Sequence, residues 1–286
     1  MRELLDLATT KGVREFVRRG GEAGIIHSEA RSASAAEREA FEVEAGRAWS
    51  VGSEVMAFIR SAGHFDVSIR PGPFDDTRVE PGRLEPLIAE RVVRLRGWPV
   101  PFIDNQAPIQ RYRTWVGQDI EARVVPHSEA WRMCASGQFL HRRVLATDLA
   151  RSPELRADAT GATGAVAVWD VLLYLVEVAE LGARLGAALE CKAVRIDVGL
   201  RGVAGRQLIS GDRARELDGD YRVAADELAA TASVDTPSLM RDASGTGVGL
   251  AQAILTQFGL RVPNQVLHAW QDETLSPRRP NSGSTT

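Results

Sequence analysis

Ala165-Val-Ala-Val-Trp-Asp-Val-Leu-Leu-Tyr-Leu-Val-Glu-Val-Ala-Glu-Leu-Gly-Ala-Arg-Leu-Gly-Ala-Ala-Leu189 is the stretch on which the fold turns. Val171, Leu175, Val178, Leu181 and Leu185 recur at the three- and four-residue intervals of one helix face. Asp170, Glu177, Glu180 and Arg184 form a polar line beside them, and Glu180 precedes Arg184 by four, the favourable order for an ion pair. The pattern predicts a long amphipathic helix over Ala165–Leu189 as the central packing element.

Outward from this helix the pattern changes period. Ala193 to Leu200 puts Val194, Ile196 and Val198 on one side, which predicts a strand, and Leu208-Ile209 is read as a shorter one. Upstream, Phe65-Asp-Val-Ser-Ile-Arg70 alternates and stops at Pro71, as a half-buried strand would. Gln138–Ala146 is read as a strand, Ser128–Cys134 as a short helix, and Leu84–Arg94 as a short helix or a helix-to-strand passage. Pro99, Pro101 and Pro108 forbid a long regular element between Gly97 and Val116. Ser34 is placed to cap a helix running to Ala62, although Gly46 and Gly52 let two shorter helices fit equally well. A further helix is predicted over Met1–Arg19, and two more, Val248–Phe258 and Val266–Thr274, flank Pro263. Helices and strands mix without strict alternation, so the expected class is α+β rather than a doubly wound sheet. The expected organisation is a helical segment 1–62, an α+β domain 63–275 and a polar, disordered tail 276–286.

Hydrophobic residues make up 44% of the 286 and charged residues 26%, enough apolar matter for a core and too little charge for a disordered chain. Cys134 and Cys191 are too few for a disulfide framework and lack metal-ligand spacing, so free thiols, a cytoplasmic setting and no metal or other cofactor are expected. The N-terminus has no apolar signal region. The uncharged run Ala243–Leu260 is too rich in Gly, Ser, Thr and Gln to span a membrane.

Charge is unevenly spread. The net is −3, yet residues 91–143 hold nine arginines against Asp104, Asp119, Glu121 and Glu129. Trp98, Phe102, Tyr112, Trp115, Trp131 and Phe139 interleave with these arginines. Aromatic faces stack bases and guanidinium groups neutralise phosphates, above all on single strands. Arg96, Trp98, Arg111, Arg113, Trp115 and Arg132 are therefore the candidate contacts for a single-stranded nucleic acid. The competing reading makes the aromatics core and pairs the arginines with acids elsewhere.

Three other signals point to catalysis. Gly245-Thr-Gly-Val-Gly-Leu-Ala251 resembles the glycine box of histidine-kinase-type ATPases, but lacks the Asn-bearing helix and Asp-x-Gly-x-Gly stretch that accompany it. Glu190-Cys-Lys192 leading into a strand has the acid-x-lysine form of a metal-dependent nuclease, with Asp170 the nearest upstream aspartate. The simpler reading ends the long helix there, with the lysine at its C-terminal dipole. His127 and His141 flank Glu129, and Ser136 lies between them without the context of an activated nucleophile.

Leu95-Arg-Gly-Trp-Pro-Val-Pro101, Glu129-Ala-Trp-Arg132, Ser136-Gly-Gln-Phe139, Gly205-Arg206, Phe258-Gly259 and Trp270-Gln271, in this order, resemble a group of bacterial proteins. In many of these, the region resembles a C-terminal part fused behind a Schlafen/Alba-like ATP-binding domain. The resemblance covers about residues 65–275. Its first 60 residues are too short and too helical to hold that domain, so ATP binding does not carry over. What the resemblance implies is an accessory or sensing module in a nucleic-acid-handling or defence context. The expected function is thus a non-catalytic binding module. The alternatives are a nuclease centred on Glu190 and Lys192, or a protein-interaction subunit whose apolar helix face meets a partner protein.

Overall fold

The computed structural model describes residues 34–96, 98–122, 125–149, 155–157, 161–212 and 215–275. The helix expected over Met1–Arg19 and the tail from 276 lie outside the described residues. The class is α+β. Seven strands, β1 (His64–Gly72), β2 (Gln110–Arg111), β3 (Trp115–Ala122), β4 (His127–Cys134), β5 (Phe139–Val144), β7 (Ala193–Arg201) and β9 (Glu227–Asp235), form one sheet. Its order is β2-β3-β4-β5-β1-β7-β9 and every neighbouring pair is antiparallel. Two more strands, β6 (Ala165–Ala167) and β8 (Gln207–Ile209), make a separate parallel pair. The helices among the described residues are α1 (Ala35–Trp49), α2 (Glu54–Ser61), α3 (Pro81–Arg91), α4 (Ala146–Leu149), α5 (Val168–Ala188), α6 (Thr236–Arg241), α7 (Ala243–Gln257) and α8 (Asn264–Leu275).

Helix α5 is the predicted central element. It starts at Val168 because Ala165–Ala167 extends against Gln207–Ile209 instead. Val171, Leu175, Val178, Leu181 and Leu185 are buried with Val67, Ile69, Ile196 and Val198 of the sheet's first face. The polar line divides. Glu180 and Arg184 pair at 3.0 Å near the surface, whereas Asp170 and Glu177 turn inward and are buried.

Helices α1 and α2 cover part of the second face. Ser34 caps α1 and Ser53 caps α2, each accepting a backbone N–H at 3.1 Å, so the region is two helices and not one. Ala45 and Ala48 pack on Trp115, Cys134 and Leu140, and Met56 and Ile59 on Ala130 and Val144. Strand β4 thus lies under cover on both sides, and all eight of its residues are buried. That corrects the short helix expected over Ser128–Cys134. With neither face in water, the period-two alternation that betrays a strand disappears.

Strands β7 and β9 keep alternation because helices cover only one of their faces. At the outer edge, the Gln257 side chain donates to the Ala229 carbonyl (2.9 Å) and accepts from its N–H (3.4 Å). No helix among the described residues is long and apolar enough to cross a membrane.

Candidate functional site

The β2–β3 turn, Tyr112-Arg113-Thr114, stands at one end of the sheet and closes through Tyr112 N–H donating to the Trp115 carbonyl at 2.8 Å. Tyr112 is 46% exposed, and its ring stacks on Trp115 at 4.3 Å with an interplanar angle of 22°. Trp115 itself is buried. Behind it, the Arg132 guanidinium lies over the Trp115 ring at 4.8 Å and over the Trp49 ring of α1 at 4.9 Å, and Arg142 reaches the same Trp49 at 4.5 Å. An alternating run of rings and guanidinium groups therefore backs one exposed phenol.

Arg132 is held for this role from every side. It pairs with Asp119 at 2.7 Å and donates to the carbonyls of Gln118 (3.1 Å), Trp131 (2.9 Å) and Ala48 (3.3 Å). Burial lowers its pKa against the opposing pull of Asp119. Gly117 makes the arrangement feasible, since a Cβ there would stand 2.2 Å from the Trp131 carbonyl oxygen and 2.6 Å from Arg132 Cδ.

Two more guanidinium groups flank the phenol in sequence. Arg113 is exposed and forms no ion pair among the described residues. Arg111 directs Nε (2.9 Å) and Nη2 (2.7 Å) to one oxygen of Glu85 on α3.

A second constellation lies on the sheet's first face, under the segment 98–104. His127 Nε2 bonds Glu129, and His141 Nε2 stands 3.4 Å from the same carboxylate oxygen. Tyr174 of α5 joins His141 Nδ1 at 2.8 Å. The covering segment is tied to this group. Phe102 N–H donates to Glu129 (2.6 Å), Trp131 Nε1 donates to the Phe102 carbonyl (3.0 Å), and Trp98 packs on His127 and Phe102. Arg96 binds Glu177 (2.8 Å) and Asp170 (3.3 Å), and Asp170 also holds Arg143. Burial opposes ionisation of Glu129, but His141 and His127 outweigh it and hold the carboxyl well below the usual range. Arg143 and Arg96 do the same for Asp170. These are buried, mutually neutralising groups.

The six candidate contacts thus divide between two sites. Arg111, Arg113 and Trp115 meet at the β2–β3 turn with Arg132 behind them, while Arg96 and Trp98 belong to the segment over the opposite face. Arg91, Arg96, Arg111, Arg132, Arg142 and Arg143 each have a carboxylate partner. The local excess of arginine is largely internal bookkeeping of charge.

The catalytic signals come apart spatially. Ser136 bonds Glu44 of α1 through both hydroxyl and N–H, away from the two histidines. Gly245, Gly247 and Gly249 lie inside α7, which Asp242 caps at 2.7 Å. A Cβ at Gly247 would stand 2.4 Å from Val176 Cα, so this glycine serves the close approach of α7 to α5. Glu190, at φ 49°, and Lys192 are exposed in the turn after α5. Asp170 opens that helix, about 30 Å away at 1.5 Å per residue.

Tyr112 was named among the interleaved aromatics but not among the six candidate contacts, and Glu85 and Trp49 were given no part in a site. Tyr112 carried a signal, an aromatic between two arginines in a short break after Pro108. Glu85 and Trp49 are brought in only by the tertiary fold. Compared with known protein families, curated proteins and solved structures, the chain matches none.

Proposed function

We propose that this chain is a non-catalytic accessory module that binds unpaired nucleic-acid strands at the β2–β3 turn. The observation that carries this reading is the exposed Tyr112 ring, stacked on buried Trp115 and bracketed by Arg111 and Arg113. An aromatic ring that is already held against a second ring presents a face for a base without losing much side-chain freedom. The flanking guanidinium groups are placed along the chain to meet the phosphates on either side of that base. A duplex hides its base faces, so the ligand is an unpaired strand.

Fluorescence anisotropy with labelled single-stranded DNA and RNA, from about 50 to 200 mM salt, tests the proposal. Binding that weakens steeply with salt, and whose slope flattens by about one for each of Arg111 and Arg113 changed to alanine, is the expected result. No binding by the folded protein at the lowest salt overturns it.

A further inference from the structure

We infer that Glu85 is a built-in competitor for the strand at this turn, an inference that rests on the nucleic-acid reading above. Arg111 is well exposed, with 61% of its side chain accessible, yet its Nε and Nη2 both converge on Glu85 Oε2 at 2.9 and 2.7 Å. That edge of the guanidinium is the one best shaped to take two phosphate oxygens at once. A phosphate and Glu85 cannot both hold it. Arg113, by contrast, meets the strand without displacing a carboxylate.

The competitor is rigidly carried. Glu85 lies on α3, whose Leu84 and Ile88 are fully buried in the main core. The carboxylate therefore returns to the same place each time the strand leaves. Its exposure matters too. A solvent-exposed pair contributes little to stability, so removing the carboxylate leaves the fold intact and reports on binding alone. In the unliganded protein Glu85 keeps the turn from acting as an indiscriminate anion site, because only a ligand that also engages Tyr112 and Arg113 displaces it.

The test compares wild type, Glu85→Gln, Arg111→Ala, the double variant, and Glu90→Gln as a charge control. Glu90 is on the same helix and pairs with Arg91 instead. The probe is a labelled single-stranded oligonucleotide, as DNA and as RNA. Glu85→Gln should tighten binding about two- to five-fold, the span of a released exposed ion pair. The gain should vanish in the Arg111→Ala background and be smaller for Glu90→Gln. An equal gain in either control marks a general effect of net charge and overturns the inference. Wild-type binding with no gain from Glu85→Gln overturns it while leaving the nucleic-acid reading standing. Absence of binding by both wild type and Glu85→Gln at the lowest salt removes that reading and this inference together.

Discussion

Tyr112 lies on Trp115 with ring centroids 4.3 Å apart, one ring exposed and the other buried. The two aromatics therefore respond differently to truncation. Tyr112→Ala should weaken single-strand binding by about 1–3 kcal/mol, with little change in unfolding. Trp115→Ala opens the packing around Ala45, Ala48, Cys134 and Leu140, so it should cost about 3–5 kcal/mol of stability. Paired anisotropy and urea unfolding measure both. A destabilised Tyr112→Ala, or unchanged binding by it, contradicts the assignment.

Arg132 should prove far more important to the fold than an arginine usually is. Arg132→Ala leaves the nearly buried Asp119 carboxylate without its cation, a loss of about 3–5 kcal/mol in urea unfolding. Arg132→Met combined with Asp119→Asn should be less destabilised than Arg132→Ala, because no uncompensated charge remains. Equal stability of Arg132→Ala and wild type would mean the guanidinium is solvated.

Two of the glycines of α7, Gly247 and Gly249, should part company. Gly247→Ala puts its methyl against the backbone of Val176 and should cost about 1–3 kcal/mol through overpacking. Nothing lies within 4 Å of a Cβ at Gly249, so Gly249→Ala should gain about 0.5–1 kcal/mol from helix propensity. ATP with magnesium should leave the unfolding midpoint unchanged, since a ligand held only by the native state must raise it. A thermal shift with ATP would reinstate the glycine box.

Two carboxylates, Glu129 buried and Glu44 partly buried, should bend the pH dependence in opposite directions. Glu129 is held below the usual range by its histidines, so its contribution is present above about pH 4–5 and lost as pH falls. Glu129→Gln should therefore lose stability at neutral pH and show a shallower acid limb. Glu44 is raised, first by burial, against the hydrogen bonds from Ser136. Its contribution is greatest in acid and lost as pH rises through its folded value. The stability of Glu44→Gln relative to wild type should grow from about pH 4 to pH 7, read from urea titrations at each pH. A falling difference would reverse the assigned sign.

What could be read from the residues follows from which faces are covered. Strand β7 was legible because Val194, Ile196 and Val198 alternate with half-exposed neighbours. Strand β4 was not, because Arg132 is as buried as Trp131. The inward turn of Asp170 and Glu177 escaped notice for the same reason. Arg143 lies 27 residues from Asp170, and Arg96 lies 81 residues from Glu177. At the turn, Arg111, Arg113 and Trp115 were readable from composition alone, whereas the removal of Arg96 and Trp98 to the other face required knowing the sheet.

The amide of Gln257 occupies the place at Ala229 where another strand would pair. From Leu228 to Val234 strand β9 carries no charge and no proline, the features that ordinarily keep strangers off an edge. Ribosomal synthesis runs from the N-terminus, so β9 emerges before the residue that closes it. For the time needed to add those 28 residues, the nascent chain displays an unguarded template. At Ala229, then, the edge is open to mispairing until Gln257 has been made and folded against it.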